Sequence, residues 1–301
     1  MTNTPVPAAP PQGWRLWLAG ARPRTLGAAV APVLVGTAAA AADAGSVIWW
    51  RAVAALLVAL GMQVGVNYAN DYSDGVRGTD KERKGPIRIT ASGLAAPAAV
   101  RNAAMLAFGF SAIVGLVLSI VVNPWLIAIG AAAIAAGALY TGGPKPYGYS
   151  GFGELAVLVF FGFVATAGSA YVQYEHVPAA AWWGSLVVGL LACAILLANN
   201  VRDVPTDTLT GKKTLAVRIG APRARKLYAA CVAGAYVAVV AIGFEYPWAL
   251  LGLVTIPLAV TPVKLVLTRD DPPSLVAALI ATGRLELLTA IALAIGLAVS
   301  S

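Results

Sequence analysis

Apolar runs of about 17 to 25 residues, the length that crosses a hydrocarbon core, recur along this chain. They predict about nine helical spans, at residues 25–42, 48–70, 98–121, 124–141, 152–173, 181–201, 225–244, 247–267 and 276–299. The expected fold class is therefore all-α, a polytopic membrane bundle. The last run contains Arg284 and Glu286, which leaves open an interfacial helix up to about Gly283 followed by a shorter final span. Residues 1–13 are rich in Pro and Ala and carry no charge. They read as a disordered surface tail, with 14–301 forming a single transmembrane domain. A cleavable signal needs a positively charged start, which this chain lacks, so the first span is expected to serve as its own insertion signal.

Polar residues interrupt this pattern most at the ends of the second and sixth spans. The first segment reads GVNYANDYSDGVRGTD (Gly65 to Asp80) and the second LLANNVRDVPTDTLTGKKT (Leu196 to Thr214). Of thirteen acidic residues in the chain, Asp71, Asp74, Asp80, Asp203 and Asp207 fall in these segments. Asn70 and Asp74 are four apart, as are Asn199, Asp203 and Asp207, so each set can share one helix face. Pro205 can end the second helix early and break that face. Gln63, Asn67, Asn70/Asp71 and Asp74 form a stripe along span two. A single Gln would be helix–helix glue, but a stripe ending in carboxylates favours a wet cavity. The two segments form a weak internal repeat, each followed by a long loop rich in Lys, Arg, Gly and Thr. Two facing carboxylate clusters beside basic loops point to Mg²⁺ ions holding a diphosphate.

Composition sharpens this picture. The chain is 59% hydrophobic and 11% charged, against about 25% charged for a soluble domain. Cys193 and Cys231 both sit in apolar runs, and His176 is the only histidine, which argues against zinc and excludes bis-histidine haem. Arg15, Arg22 and Arg24 before the first span place the N-terminus inside. The loops after even-numbered spans then face the cytoplasm and hold nearly all remaining Lys and Arg, so both acidic segments are expected at the cytoplasmic face. The net charge of +8 is thus topology, aided by anionic lipid. It gives no sign of nucleic-acid binding.

These segments carry a specific resemblance. GARPRTL (Gly20 to Leu26), NYANDYSDGVRGTD (Asn67 to Asp80), YTGGPKPYGYSGFGE (Tyr140 to Glu154) and ANNVRDVPTDTLTGKKTLAVRIG (Ala198 to Gly220) resemble the UbiA superfamily of intramembrane prenyltransferases. Within it the chain is most similar to the 1,4-dihydroxy-2-naphthoate polyprenyltransferases of menaquinone synthesis, particularly the actinobacterial type. The resemblance runs from about Trp14 to the end. It implies transfer of a prenyl group from a prenyl diphosphate to the naphthoate, with loss of CO₂ and diphosphate and Mg²⁺ as cofactor.

It further implies a metal role for Asn70, Asp74, Asp203 and Asp207, with Asp71 and Asp80 secondary. Five residues separate Asp74 from Asp80, a departure from the common family spacing that makes Asp80 the least secure ligand. Asn67 and Asn199 join the substrate-binding set. Arg22, Arg77, Lys145, Lys212 and Lys213 are the expected diphosphate cations, with Lys145 also counted as catalytic alongside Asp74, Asp203 and Asp207. Arg24, Arg88 and Arg202 are weaker, each equally suited to lipid headgroups. Tyr140 and Tyr147 are expected to contact diphosphate or shield the allylic cation, against the ordinary fate of an aromatic-belt Tyr. Glu154 either orients a ring hydroxyl, binds a second charge or caps a helix N-terminus, with capping favoured. Loop 75–96 is an expected lid. The competing readings are another acceptor (4-hydroxybenzoate, homogentisate or a polar lipid precursor) and, more distantly, a secondary transporter.

Overall fold

The computed structural model describes residues 11–78 and 88–300, and within them the chain is entirely helical with connecting turns. A short helix α1 (Trp14–Ala21) and a 3-10 turn (Pro23–Thr25) lead into α2 (Gly27–Ala44) and α3 (Trp49–Arg77). There follow α4 (Pro97–Val121), α5 (Trp125–Leu139), α6 (Gly153–Tyr174) and α7 (Ala179–Leu209). After a one-turn helix at Leu215–Ile219 come α8 (Ala221–Gly243), α9 (Pro247–Thr268) and α10 (Pro272–Val299). Among the described residues, eight of these helices are long and apolar enough to cross a membrane. The fourth expected span, α5, has 15 residues, short of the roughly 20 a full crossing takes. Most of the expected 1–13 tail, and part of the expected lid, lie outside the described residues.

α3, α7 and α10 exceed the hydrocarbon thickness most, and this decides where the polar segments sit. α3 has 29 residues and α7 has 31, about 43 and 46 Å at ~1.5 Å per residue against a core of about 30 Å. Their last turns therefore project past the apolar layer and carry the Asn- and Asp-rich stretches with them. Pro205 does not end α7, which runs on to Leu209. α10 is likewise one unbroken helix of 28 residues, so the broken alternative for the last span does not hold. Glu286 points into the bundle and Arg284 outward.

The core is built around α7, which packs against α6, α8, α10 and α2. Leu191 and Leu197 of α7, Tyr228 and Val239 of α8, and Leu285 and Leu293 of α10 are buried together. Small residues let these backbones close up. A Cβ at Gly36 of α2 would lie 2.1 Å from the Thr166 carbonyl oxygen of α6. α6 itself is π-helical over Leu158–Ala167. On the other side α4 packs on α3, and α5 leans on both without a fully buried residue.

Overpacking a tight core costs about 1–3 kcal/mol, so Gly36→Ala should lower the melting temperature in detergent by several degrees. Gly109→Ala, with nothing within 4 Å of the new methyl, should leave it unchanged or slightly raised. Differential scanning fluorimetry of the two variants checks this.

Candidate functional site

A cavity of about 1450 Å³ opens between the two halves of the bundle. Its body is apolar, walled by α2 to α7 and α10, with Met62, Leu126, Ile134, Phe160, Phe161 and Leu279 among the lining. Its polar end lies where the projecting turns of α3 and α7 meet. Asn67, Asn70 and Asp74 face it from α3, and Asn199, Asn200, Asp203 and Asp207 from α7. The i, i+4 spacing that suggested shared faces is thus realised on both helices.

The stripe on α3 is both cavity lining and glue. Gln63 Nε2 donates to Thr25 Oγ1 at 3.2 Å, and Asn67 Nδ2 donates to the Ala21 carbonyl at 2.9 Å and Thr25 Oγ1 at 3.0 Å. These bonds fix the turn that carries Arg22, whose backbone is left-handed at φ 54°, a strained setting for a non-glycine residue. Asn70 Oδ1 accepts from Thr141 Oγ1 at 2.8 Å.

Asp71 is used differently from its expected place in the metal set. It is fully buried, and its two oxygens accept the backbone N–H groups of Ile89 (3.1 Å) and Thr90 (2.8 Å). Arg22 lies 4.0 Å away. Asp71 does not line the cavity; it pins the returning chain against α3, where Gly75 leaves room for Thr90. Asp80 falls outside the described residues.

The cations divide in a way the sequence did not foretell. Arg22 and Lys212 line the cavity as expected, and so do Arg24, Arg88 and Arg202, the weaker candidates. Lys212 Nζ lies 3.3 Å from Asp74 Oδ1, linking the segment after α7 to the end of α3. Arg202 is buried and grips Asp203 with both ends of its fork, Nε to Oδ1 and Nη2 to Oδ2, each at 2.7 Å. Its Nη2 also donates to Asn199 Oδ1 at 2.8 Å.

Arg77, Lys145 and Lys213 do not line the cavity. Arg77 donates to the carbonyls of Thr141 and Gly143 and so clamps the loop after α5. Lys213 places its backbone N–H on the Tyr149 carbonyl at 2.8 Å. Lys145 is exposed.

Aromatic residues of that loop complete the wall. Tyr140 and Tyr147 both line the cavity and meet edge-to-face at 5.5 Å, so neither is an ordinary belt residue. Tyr147 donates to the Ala136 carbonyl at 2.8 Å; burial pushes its hydroxyl up to about 12, so it stays a donor near neutrality. Tyr149, which sequence reasoning passed over, is more central. Its hydroxyl donates to Asp74, and its ring lies beneath both Arg77 and Lys212, the latter 4.4 Å from the centroid. The only signal was its place in the same KPYGYSG stretch as Tyr147.

Glu154 is the acidic residue in the first turn of α6, the helix-terminal place expected of it, and its Oε1 also accepts from Asn200 Nδ2 at 2.9 Å.

The facing donors are all oxygens, Asn70 and Asp74 on one side and Asn199, Asp203 and Asp207 on the other. Among the described residues they form no three-carboxylate cage. This donor set suits Mg²⁺, which takes one or two carboxylates and keeps phosphate and water oxygens for the rest of its octahedron. The adjoining cations suit an anion bound between the helix ends.

Comparison with known proteins agrees with this architecture. The chain is 49% identical over 282 residues to the 1,4-dihydroxy-2-naphthoate octaprenyltransferase of Mycobacterium tuberculosis (strain ATCC 25618 / H37Rv), covering 94% of this chain and 96% of that one. It is 34% identical over 301 residues to the protein of the same description from Escherichia coli (strain K12), covering 94% and 95%. The fold is similar to that of a UbiA homologue from Archaeoglobus fulgidus bound to GPP and Mg²⁺, at a TM-score of 0.65 and 15% identity over 92% of this chain and 99% of that one. The model of the UbiA prenyltransferase family matches residues 29–280. With the family pattern running through most of the chain and through both helices that form the polar end of the cavity, the chain belongs to the UbiA prenyltransferase family.

Proposed function

We propose that this protein transfers a polyprenyl group from a prenyl diphosphate to 1,4-dihydroxy-2-naphthoate, releasing CO₂ and diphosphate and yielding demethylmenaquinol for menaquinone synthesis. The observation that carries this reading is the join of two carboxylate-bearing helix ends, linked by Lys212, above a long apolar cavity. That combination takes a headgroup of high negative charge and an isoprenoid tail together. The relatives' descriptions name this acceptor.

Asn70, Asp74, Asn199, Asp203 and Asp207 are the residues that would hold Mg²⁺, with Asp71 left out because its oxygens serve the backbone. When bound, the metal supplies positive charge to the diphosphate oxygens. Arg22, Arg88, Arg202 and Lys212 add cationic stabilisation of the departing diphosphate. Tyr149 holds Lys212 and Asp74 in register. The allylic C–O bond breaks and its electron pair leaves with the diphosphate. Carbon 2 of the ring then attacks the cation, and loss of CO₂ returns the C–C pair to the ring. No separate base is needed, in keeping with the absence of histidine from the cavity lining. The apolar walls and the Tyr140 and Tyr147 rings keep water from the cation.

The membrane setting follows the charge pattern. The protein is multi-pass, and we place the N-terminus and the site at the cytoplasmic face of the cell membrane, because the connections on that side hold most of the Lys and Arg.

Purified protein with Mg²⁺, a long prenyl diphosphate and carboxyl-labelled 1,4-dihydroxy-2-naphthoate should release labelled CO₂ together with a prenylated naphthoquinol. Diphosphate release only with other aromatic acceptors would replace the naphthoate assignment. Removing a preorganised charge at such a site costs about 10²–10³ in rate, so Asp74→Asn, Asp203→Asn and Lys212→Ala should each lose about that much kcat. Lys145→Ala should remain within about threefold of wild type, since surface charges contribute little. Asp71→Asn should lower the melting temperature yet leave Mg²⁺ affinity, by titration calorimetry, within about twofold.

A further inference from the structure

One buried polar cluster lies just inside the cation site and is absent from the mechanism above. Glu154 at the start of α6 is 7% exposed, and its Oε2 has no hydrogen-bond partner. Its Oε1 accepts from Nδ2 of Asn200, itself 7% exposed and on the cavity wall. The Cys193 thiol donates to the Glu154 backbone carbonyl at 3.1 Å, fixing the first turn of α6 against α7. A carboxylate only accepts, so it holds the Asn200 amide with Nδ2 inward. The carbonyl oxygen Oδ1 is thereby left for the cavity, and among the described residues no protein group donates to it. Asn200 thus presents an oriented hydrogen-bond acceptor where the polar end of the cavity gives way to its apolar body.

Its depth matters. Asn200 precedes Asp203 by three residues on the same helix, about 4.5 Å further into the membrane at ~1.5 Å per residue. A diphosphate held at the level of Asp203 and Asp207 puts its allylic carbon at the level of Asn200.

We propose that Asn200 Oδ1 accepts the hydrogen bond of the acceptor's 1-hydroxyl, and that Glu154 is the positioning residue that sets the amide's orientation. This rests on the naphthoate reading above and deepens it. The 1-hydroxyl is ortho to carbon 2. A hydrogen bond donated by that oxygen enriches carbon 2 in electron density and holds it toward the allylic carbon. The proton stays on the oxygen throughout. The 4-hydroxyl, meta to carbon 2, has no such requirement. A buried acceptor of this kind rejects an analogue lacking the matching O–H by much more than a methyl's bulk would, because the site's polar atom is left unpaired.

The test compares 4-hydroxy-1-methoxy-2-naphthoate with 1-hydroxy-4-methoxy-2-naphthoate as acceptors for the full-length wild-type protein. The 1-methoxy compound should lose at least about 10²-fold in kcat/KM relative to the 4-methoxy compound. Equal kcat/KM for the two ethers overturns the proposal without any mutation. Glu154→Gln, which lets the amide turn over, should raise KM for the parent acceptor and shrink the ether ratio. The Kd for a non-hydrolysable prenyl thiodiphosphate with Mg²⁺ should stay within twofold. An unchanged ether ratio in that variant removes Glu154 from the role. Failure of the underlying reading shows separately, as no turnover of the parent naphthoate by wild type.

Discussion

Everything at this site depends on carboxylates held at the wrong end of two helices. The C-terminus of a helix carries the negative pole of its macrodipole, where an acidic side chain is disfavoured by about 0.3–1 kcal/mol. α3 and α7 nevertheless end in Asp74 and in Asp203 and Asp207, beside a membrane where unpaired charge is costly. The protein meets this with cations both from within the same helix and from elsewhere in the chain. Lys212 returns from beyond α7 to Asp74, and Arg202 folds onto Asp203. Arg22 arrives on a turn strained enough to need two side chains of α3 to hold it.

The remainder of the bundle serves two opposite packing demands. Around α7 the backbones are drawn together by small residues, and the core there is continuous from α2 to α10. That core holds the polar end of α7, and Lys212 and Tyr149 then join it to Asp74 of α3. On the far side α5 is short, exposed on most of its faces and only lightly packed, so the cavity between it and α6 is wide. Close packing leaves no room for a cavity, and loose packing leaves side chains unfixed; the fold has both, with α7 packed on one side and lining the cavity on the other.

The loop between α5 and α6 joins these halves. Arg77 reaches from α3 to its carbonyls, Tyr149 reaches back to Asp74, and the chain after α7 hydrogen-bonds to the Tyr149 carbonyl. One aromatic ring thus contacts both acidic segments. Its neighbours Tyr140 and Tyr147 line the route from the charged end to the apolar body.

The helical membrane bundle and the two acidic segments were legible in the chain because each rests on local pattern, whereas the run 124–141 read as a span and folds as a helix of 15 residues. Residues four apart on a helix must share a face. Asn70, Asp74, Asn199, Asp203 and Asp207 were found that way. The assignment of individual charges was not legible, because it turns on which partner a flexible side chain meets across the fold. Asp71 adjoins Asn70 in sequence, yet one residue of helical rotation turns it from the cavity to the backbone of Ile89 and Thr90. Arg77 and Lys145 sit in motifs rich in function, but the first clamps a loop and the second faces outward. Tyr149 gained its place only when α3, the segment after α7 and the intervening loop converged. The sequence by itself determined the helices and the faces they present. Tertiary structure decided which of the polar groups on those faces look into the cavity, because a charge near a membrane takes its role from whatever pairs it.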